Sequence, residues 1–174
     1  NPATSSEQNP TVSYSEAGFY TVKLEVSDAS TSNVIIEEKF IKVGCTGPYC
    51  EPTYTAYDKT ENIVYGVDTE QHQMTIYEPQ NDDRTQRPIV LLFGGGGFTS
   101  ASNLSYLEPL AINLTKYGVV VAVLRYRIAA SGVSNSDRLI YGQQDSRTAV
   151  RYFRKEAETW RINPNWIING GNGA

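Results

Sequence analysis

Four consecutive glycines, Gly94 to Gly97, stand between the apolar run 88–93 and Phe98. Such a stretch turns sharply and presents unpaired backbone N–H groups, which suits it to hold an anion. Three readings follow: an oxyanion hole that stabilises charge developing on a carbonyl oxygen, a phosphate cradle, or a flexible turn. A phosphate loop would end in Gly-Lys-Ser/Thr, and a dinucleotide fingerprint would need glycine at position 99, which is Thr99. A second glycine cluster, Gly170-Gly171-Asn172-Gly173-Ala174, follows the short apolar stretch Trp166-Ile167-Ile168. Glycines after a strand permit the sharp strand-to-helix turn on which a nucleophile is exposed. Together the two clusters favour acyl transfer.

The elements needed to place these clusters are legible in the pattern. Residues 88–93 and 119–124 are apolar on both faces, as buried parallel strands are. Between them, residues 104–117 carry Leu107, Leu110, Ala111 and Leu114 at helical spacing and stop at Gly118. A second helix is expected over 142–160, with Ala149, Val150, Phe153, Ala157 and Trp160 on one stripe and Arg151, Arg154 and Lys155 facing away. Residues 163–165 then turn the chain into a short strand at 166–169. Upstream, 63–67 and 74–79 read as a strand pair, followed by a polar loop over 80–87. Strands alternating with helices give an α/β fold with a mostly parallel sheet and flanking helices.

The first part of the chain differs. Tyr20, Val22, Leu24 and Val26 alternate with polar residues at the period of a strand, and 34–43 is a further β-branched strand. Two or three strands fall short of the roughly seven a sandwich needs, so an incomplete all-β module with further strands before Asn1 is expected. The boundaries are residues 1–43 for this module, 44–53 for a linker and 54–174 for the α/β part. The linker holds both cysteines of the chain, Cys45 and Cys50, with Thr-Gly-Pro-Tyr between them. A turn there brings them within disulfide range; the competing reading is two unpaired thiols.

The pattern Asn9-Pro10…Tyr14…Gly18-Phe19-Tyr20-Thr21-Val22-Lys23-Leu24-Glu25-Val26 resembles the closing strands of a PKD domain, an immunoglobulin-like module, over about a quarter of the chain. The resemblance implies a spacer or binding module of extracellular proteins. From Tyr54 onward, about 120 residues resemble the N-terminal half of an α/β-hydrolase of the carboxylesterase and lipase type. Gly94-Gly95-Gly96-Gly97-Phe98 is similar to its His-Gly-Gly-Gly-Phe oxyanion motif, with Gly94 in place of the histidine. Arg125-Tyr126-Arg127-Ile128-Ala129 is similar to its Tyr-Arg-Leu strand end, and 144–154 to the helix before the elbow. By that resemblance Gly95, Gly96 and Ala174 supply the oxyanion hole. Aligning Gly171-Asn172-Gly173-Ala174 with the Gly-x-Ser-x-Gly elbow puts Gly173 at the nucleophile position, where serine is absent; alternatively Ser and Ala are missing between Asn172 and Gly173.

In this fold the triad acid and histidine follow the serine in the chain. The one histidine, His72, precedes it and is expected to be a surface loop residue. Asp145 is expected to cap the start of the second helix or to pair with an arginine, and Arg125 and Arg127 to pair with carboxylates, a contact to a substrate carboxylate being the alternative role for the two arginines.

Composition narrows the partners. With 15 Lys and Arg against 19 Asp and Glu and a net charge of −4, no basic field draws in nucleic acid. No apolar run reaches the about 18 residues of a membrane helix. No cofactor or metal site is expected. The expectation is thus a fragment of a secreted carboxylesterase that forms an acyl-enzyme on a small-molecule or carbohydrate ester, extracellular or at the cell surface, the β module contacting a polysaccharide or the surface. Its competitor is a hydrolase-like binding or spacer protein without catalysis; a nucleotide-binding α/β domain is a third, weaker reading.

Overall fold

The computed structural model describes residues 4–44, 47–100 and 104–171, so Cys45, Gly173 and Ala174 lie outside the described residues. Two compact units divide the chain, Asn1–Cys50 and Glu51–Ala174.

In the first unit, β1 (Gly18–Ser27) pairs antiparallel with β2 (Ser32–Val43). Asp28 shapes the turn between them: its Oδ1 accepts the N–H groups of Ser30 and Thr31, each at 2.8 Å. These bonds, Ser30's first, hold its carboxyl down at about 2. Tyr20 donates its hydroxyl to the Glu16 carbonyl at 2.7 Å, much as a corner tyrosine ties back to upstream backbone in immunoglobulin-like sandwiches. Leu24, Val26, Ile35, Ile36 and Phe40 are exposed, since among the described residues of this unit two strands have no second layer to bury them. Cys50, at the end of the unit, is disulfide-bonded.

The second unit is a five-stranded mixed sheet flanked by helices. Its strands are β3 (Tyr57–Val64), β4 (Gln73–Pro79), β5 (Arg87–Phe93), β6 (Val120–Leu124) and β7 (Ile162–Gly171), in the order β3-β4-β6-β5-β7. β4 runs antiparallel to β3 and β6, while β5 lies parallel to both β6 and β7. The apolar runs of β5 and β6 form the buried centre, and their alternating side chains supply both faces. On one face Ile89, Leu91, Val120, Ala122 and Leu124 cluster with Ala149 and Phe153 of α2 (Asn135–Lys155). The other face carries Val121 and Val123, both buried, and α1 (Glu108–Thr115), preceded by a 3-10 turn at Leu104–Leu107, packs along β4 and β6.

Several expectations are corrected. α2 starts at Asn135, seven residues before position 142, because Ser134 caps it: its Oγ accepts the Asp137 N–H at 3.1 Å. It ends at Lys155, so Ala157 and Trp160 lie past its last turn, though both still pack on the core cluster. Residues 163–165 do not turn the chain between elements; they lie within β7, where a break in register between Arg87 and Ile89 absorbs them. Arg87 is no loop residue. It opens β5 fully buried, with Nη2 donating to Glu78 Oε1 at 2.5 Å and to the Trp160 carbonyl at 2.8 Å. A buried guanidinium needs such partners, since desolvating an unpaired charge is costly.

This pairing is testable. Glu78→Ala leaves the guanidinium short of its nearest carboxylate and should cost about 3 kcal/mol of stability, whereas Glu78→Gln, which keeps an acceptor oxygen, should cost less. Urea unfolding of the two variants measures both, and equal small losses would contradict the role given to the charge.

Candidate functional site

The carboxyl ends of β5 and β7 lie side by side, because the parallel register sets Leu92 opposite Gly170 and Phe93 opposite Gly171. Ligands in open α/β sheets bind outside these carboxyl ends. Both glycine clusters therefore emerge at one edge. Between them runs a groove of ≈ 520 Å³ whose walls include Phe93, Phe98, Tyr126, Leu139, Ser146 and Gly171.

The glycine loop has a defined shape. Gly96 takes φ +130°, and a Cβ there would lie 2.6 Å from the Ser100 carbonyl oxygen, so a side chain is excluded both by conformation and by space. The Gly96 carbonyl accepts the Thr99 N–H and hydroxyl, each at 3.0 Å. The Gly95 N–H donates to the Tyr106 hydroxyl at 2.7 Å. Phe98, itself at φ +59°, accepts the Ala129 N–H on its carbonyl at 3.2 Å and stands 5.2 Å from the Tyr126 ring, centroid to centroid.

Behind the groove a buried charged cluster holds the strap 125–129. Asp145, on the same stripe of α2 as Ala149 and Phe153, is buried. Its Oδ2 accepts the Arg127 N–H at 2.8 Å, and its Oδ1 accepts Arg127 Nε at 2.7 Å. Gln71 Oε1 accepts the Ile128 N–H at 2.6 Å, and the Tyr65 hydroxyl donates to the Arg125 carbonyl. Burial, followed by the charge of Asp145, pushes the Tyr65 phenol well above its usual range, so it remains a donor. The strap in turn holds Phe98 through Ala129.

His72 belongs to this cluster, which corrects its reading as a surface residue: it is buried, with Nε2 3.0 Å from Asp145 Oδ1. Its Nδ1 accepts the Asp68 N–H at 3.1 Å, which leaves the ring proton on Nε2, facing the carboxylate. That approach is short but off the line of a hydrogen bond, so it is an electrostatic contact. His72 and Asp145 do not line the groove. Asp145 pairs with Arg127 as expected, but lies mid-helix and caps nothing. Arg125 is exposed and has no carboxylate partner among the described residues, contrary to expectation.

Of the residues singled out in the sequence, Gly95 and Gly96 lie in the loop between Phe93 and Phe98, which line the groove, but do not line it themselves; Gly173 and Ala174 would follow Gly171 but fall outside the described residues, as does Cys45. Among the described residues no group of three or more His, Cys, Asp or Glu is placed to hold a metal ion. Tyr106 and Gly142 were not anticipated, and Tyr126 only as part of the strand end 125–129. Gly142 faces Phe98 so closely that an added Cβ would lie 2.3 Å from the ring. Alanine in place of a helical glycine ordinarily stabilises by up to about 1 kcal/mol. Here the clash reverses the sign: Gly142→Ala should lower stability by about 1–2 kcal/mol, read as a fall in the thermal midpoint. A rise would mean that Phe98 does not pack there.

Comparisons with known proteins agree with this geometry. The family model BD-FAE matches residues 74–174. No curated protein matches the chain. A truncated carbohydrate esterase from gut microbiota is 24% identical, with a TM-score of 0.55 over 70% of this chain and 40% of its own. A bifunctional GH43-CE protein of Bacteroides eggerthii is 21% identical, with a TM-score of 0.54 over 65% of this chain and 15% of its own. MGS-M1, an α/β-hydrolase enzyme from a Medee basin deep-sea metagenome library, is 25% identical, with a TM-score of 0.51 over 65% of this chain and 45% of its own. The chain thus spans less than half the length of each of these three proteins. With more than half of its 174 residues matched, the chain belongs to the BD-FAE family and carries part of an α/β-hydrolase fold.

Proposed function

We propose that the chain is the N-terminal part of a secreted carboxylesterase that cleaves esters of small molecules or carbohydrates through an acyl-enzyme. The observation that carries the reading is the meeting of two glycine clusters at the carboxyl ends of β5 and β7 beside an apolar groove. In this reading the Gly95 and Gly96 N–H groups, with that of Ala174, receive the oxygen of the tetrahedral intermediate. Position 173 is glycine, so the reading requires a serine at the elbow, either in place of Gly173 or between Asn172 and Gly173; its hydroxyl attacks the ester carbonyl, the alcohol leaves with a proton from a histidine, and water then releases the acid. The Gly95 N–H already holds the Tyr106 hydroxyl, so an incoming oxygen takes over that bond. In this fold the acid and the histidine of the triad follow the nucleophile in the chain.

Carbohydrate esters are favoured because one of the structures similar in fold is described as a carbohydrate esterase. The first unit, with its exposed strand pair and its tyrosine corner, is read as an immunoglobulin-like module that contacts a polysaccharide or the cell surface, joined through a linker closed by a Cys45–Cys50 disulfide. Glycine at position 173 favours a second reading, a binding protein built on the same fold without catalysis.

Hydrolysis of p-nitrophenyl acetate and of acetylated xylan by the full-length protein separates the two. Activity that requires serine at the elbow supports the esterase, and its loss in a folded Gly96→Ala protein, whose Cβ the loop has no room for, would show that the loop's backbone geometry is needed for the reaction. A folded Gly173→Ser protein that cleaves neither ester, yet retains polysaccharide binding, would favour the second reading.

A further inference from the structure

A cavity of ≈ 340 Å³ lies against one flank of α2, walled by Gln144, Arg147 and Arg151 of that helix and by Arg127 of the strap. Its size falls within the ordinary range of small-molecule sites. Successive helix positions turn by about 100°, so this flank adjoins the face of α2 that carries Leu139, Gly142 and Ser146. Those three line the groove, and Arg147 lines both concavities, which therefore share a wall.

The wall offers donors. Gln144 Oε1 accepts Arg127 Nη2 at 3.0 Å, so the Gln144 amide nitrogen remains available to donate. The one carboxylate there, Asp145, is buried and already accepts the backbone N–H and Nε of Arg127. Arg147 and Arg151 are exposed, and neither has a carboxylate partner among the described residues. Between Asp137 and Glu156 the only acidic residue is Asp145, so the exposed charges of this stretch, Arg147, Arg151, Arg154 and Lys155, are all basic. Arg154 and Lys155 lie in the last turn, where the helix dipole favours cations. That effect fades beyond the last turn, and Arg147 and Arg151 stand one turn apart, where like charges repel. An anion between them removes the repulsion, and two guanidinium forks match the oxygens of a carboxylate.

We propose that this cavity binds the carboxylate of an acidic sugar, held by Arg147 and Arg151, on the same polysaccharide chain whose ester lies in the groove. The inference rests on the carbohydrate-ester reading and deepens it by giving the substrate a charge. The shared wall at Arg147 lets one chain occupy both concavities, with its ester-bearing sugar in the groove and a neighbouring sugar at the arginines. A protein of net charge −4 does not attract polyanions as a whole, so the attraction is local and selects a placed carboxylate over diffuse negative charge.

The test is titration calorimetry on the full-length protein at low ionic strength. The probes are an unacetylated xylo-oligosaccharide carrying glucuronic acid, the neutral oligosaccharide of the same length, and free glucuronate. The acidic oligosaccharide should bind about tenfold tighter than the other two, an advantage lost in Arg147→Gln/Arg151→Gln and kept in Lys155→Gln. Equal affinity for the acidic and neutral oligosaccharides would overturn the inference, as would an advantage that survives the double substitution or falls equally with Lys155→Gln. Free glucuronate binding as tightly as the acidic oligosaccharide would overturn it too, by detaching the site from the groove. Failure of the double variant to fold would do the same, by giving the arginines a structural role. Hydrolysis of p-nitrophenyl acetate, which carries no anionic group, is measured beside these with serine at the elbow. Hydrolysis without the acidic preference removes this site alone, and the preference without hydrolysis keeps the site and removes the esterase reading.

Discussion

β5 is hydrogen-bonded along both edges to parallel neighbours, and that constraint shapes the second unit. Parallel strands must return to the same end of the sheet, so each connection needs a long crossover, and these crossovers are α1 and α2. Helices on both faces then require β5 and β6 to be apolar throughout. The same constraint sends the carboxyl ends of β5 and β7 out side by side, and after β5 the chain turns through the positive φ of Gly96, Gly97 and Phe98. The candidate site is thus a consequence of strand direction before it is a property of any side chain.

Direction alone does not fix the loop. The strap 125–129 does so, and Asp145 holds the strap by accepting from the backbone and guanidinium of Arg127. A carboxylate at this depth is tolerated because Arg127 and the proton-bearing nitrogen of His72 surround it. Ala129 carries the constraint to Phe98, and Gly142 gives Phe98 room on the helix. Polar groups far from the groove therefore decide the position of the backbone that lines it.

The apolar runs of β5 and β6, the helix between them and the glycine loop were legible in the sequence, because each is a local pattern with a local physical cause. The strand order was not, since nothing local states that β6 inserts between β4 and β5. His72 and Arg87 were misread because a polar residue in a polar stretch looks exposed; their partners, Asp145 for one and the Trp160 carbonyl for the other, lie in remote elements. The early start of α2 did have a signal, Ser134-Asn135-Ser136-Asp137, a capping pattern obscured by the exposed Leu139 and Ile140 that follow. Tyr106 carried none, being one of 12 tyrosines whose roles depend on what the fold sets beside them, and Tyr126 was marked only as part of the strand end 125–129, without a role of its own.

The central claim is that acyl transfer takes place at the carboxyl edge of β5 and β7. Covalent labelling by a fluorophosphonate, read by peptide mass spectrometry on full-length protein with Gly173→Ser, tests it most directly. The account predicts a single adduct on the serine at position 173 and none when glycine occupies that position. A folded protein that gains no adduct there, or gains one at a distant residue, would contradict it.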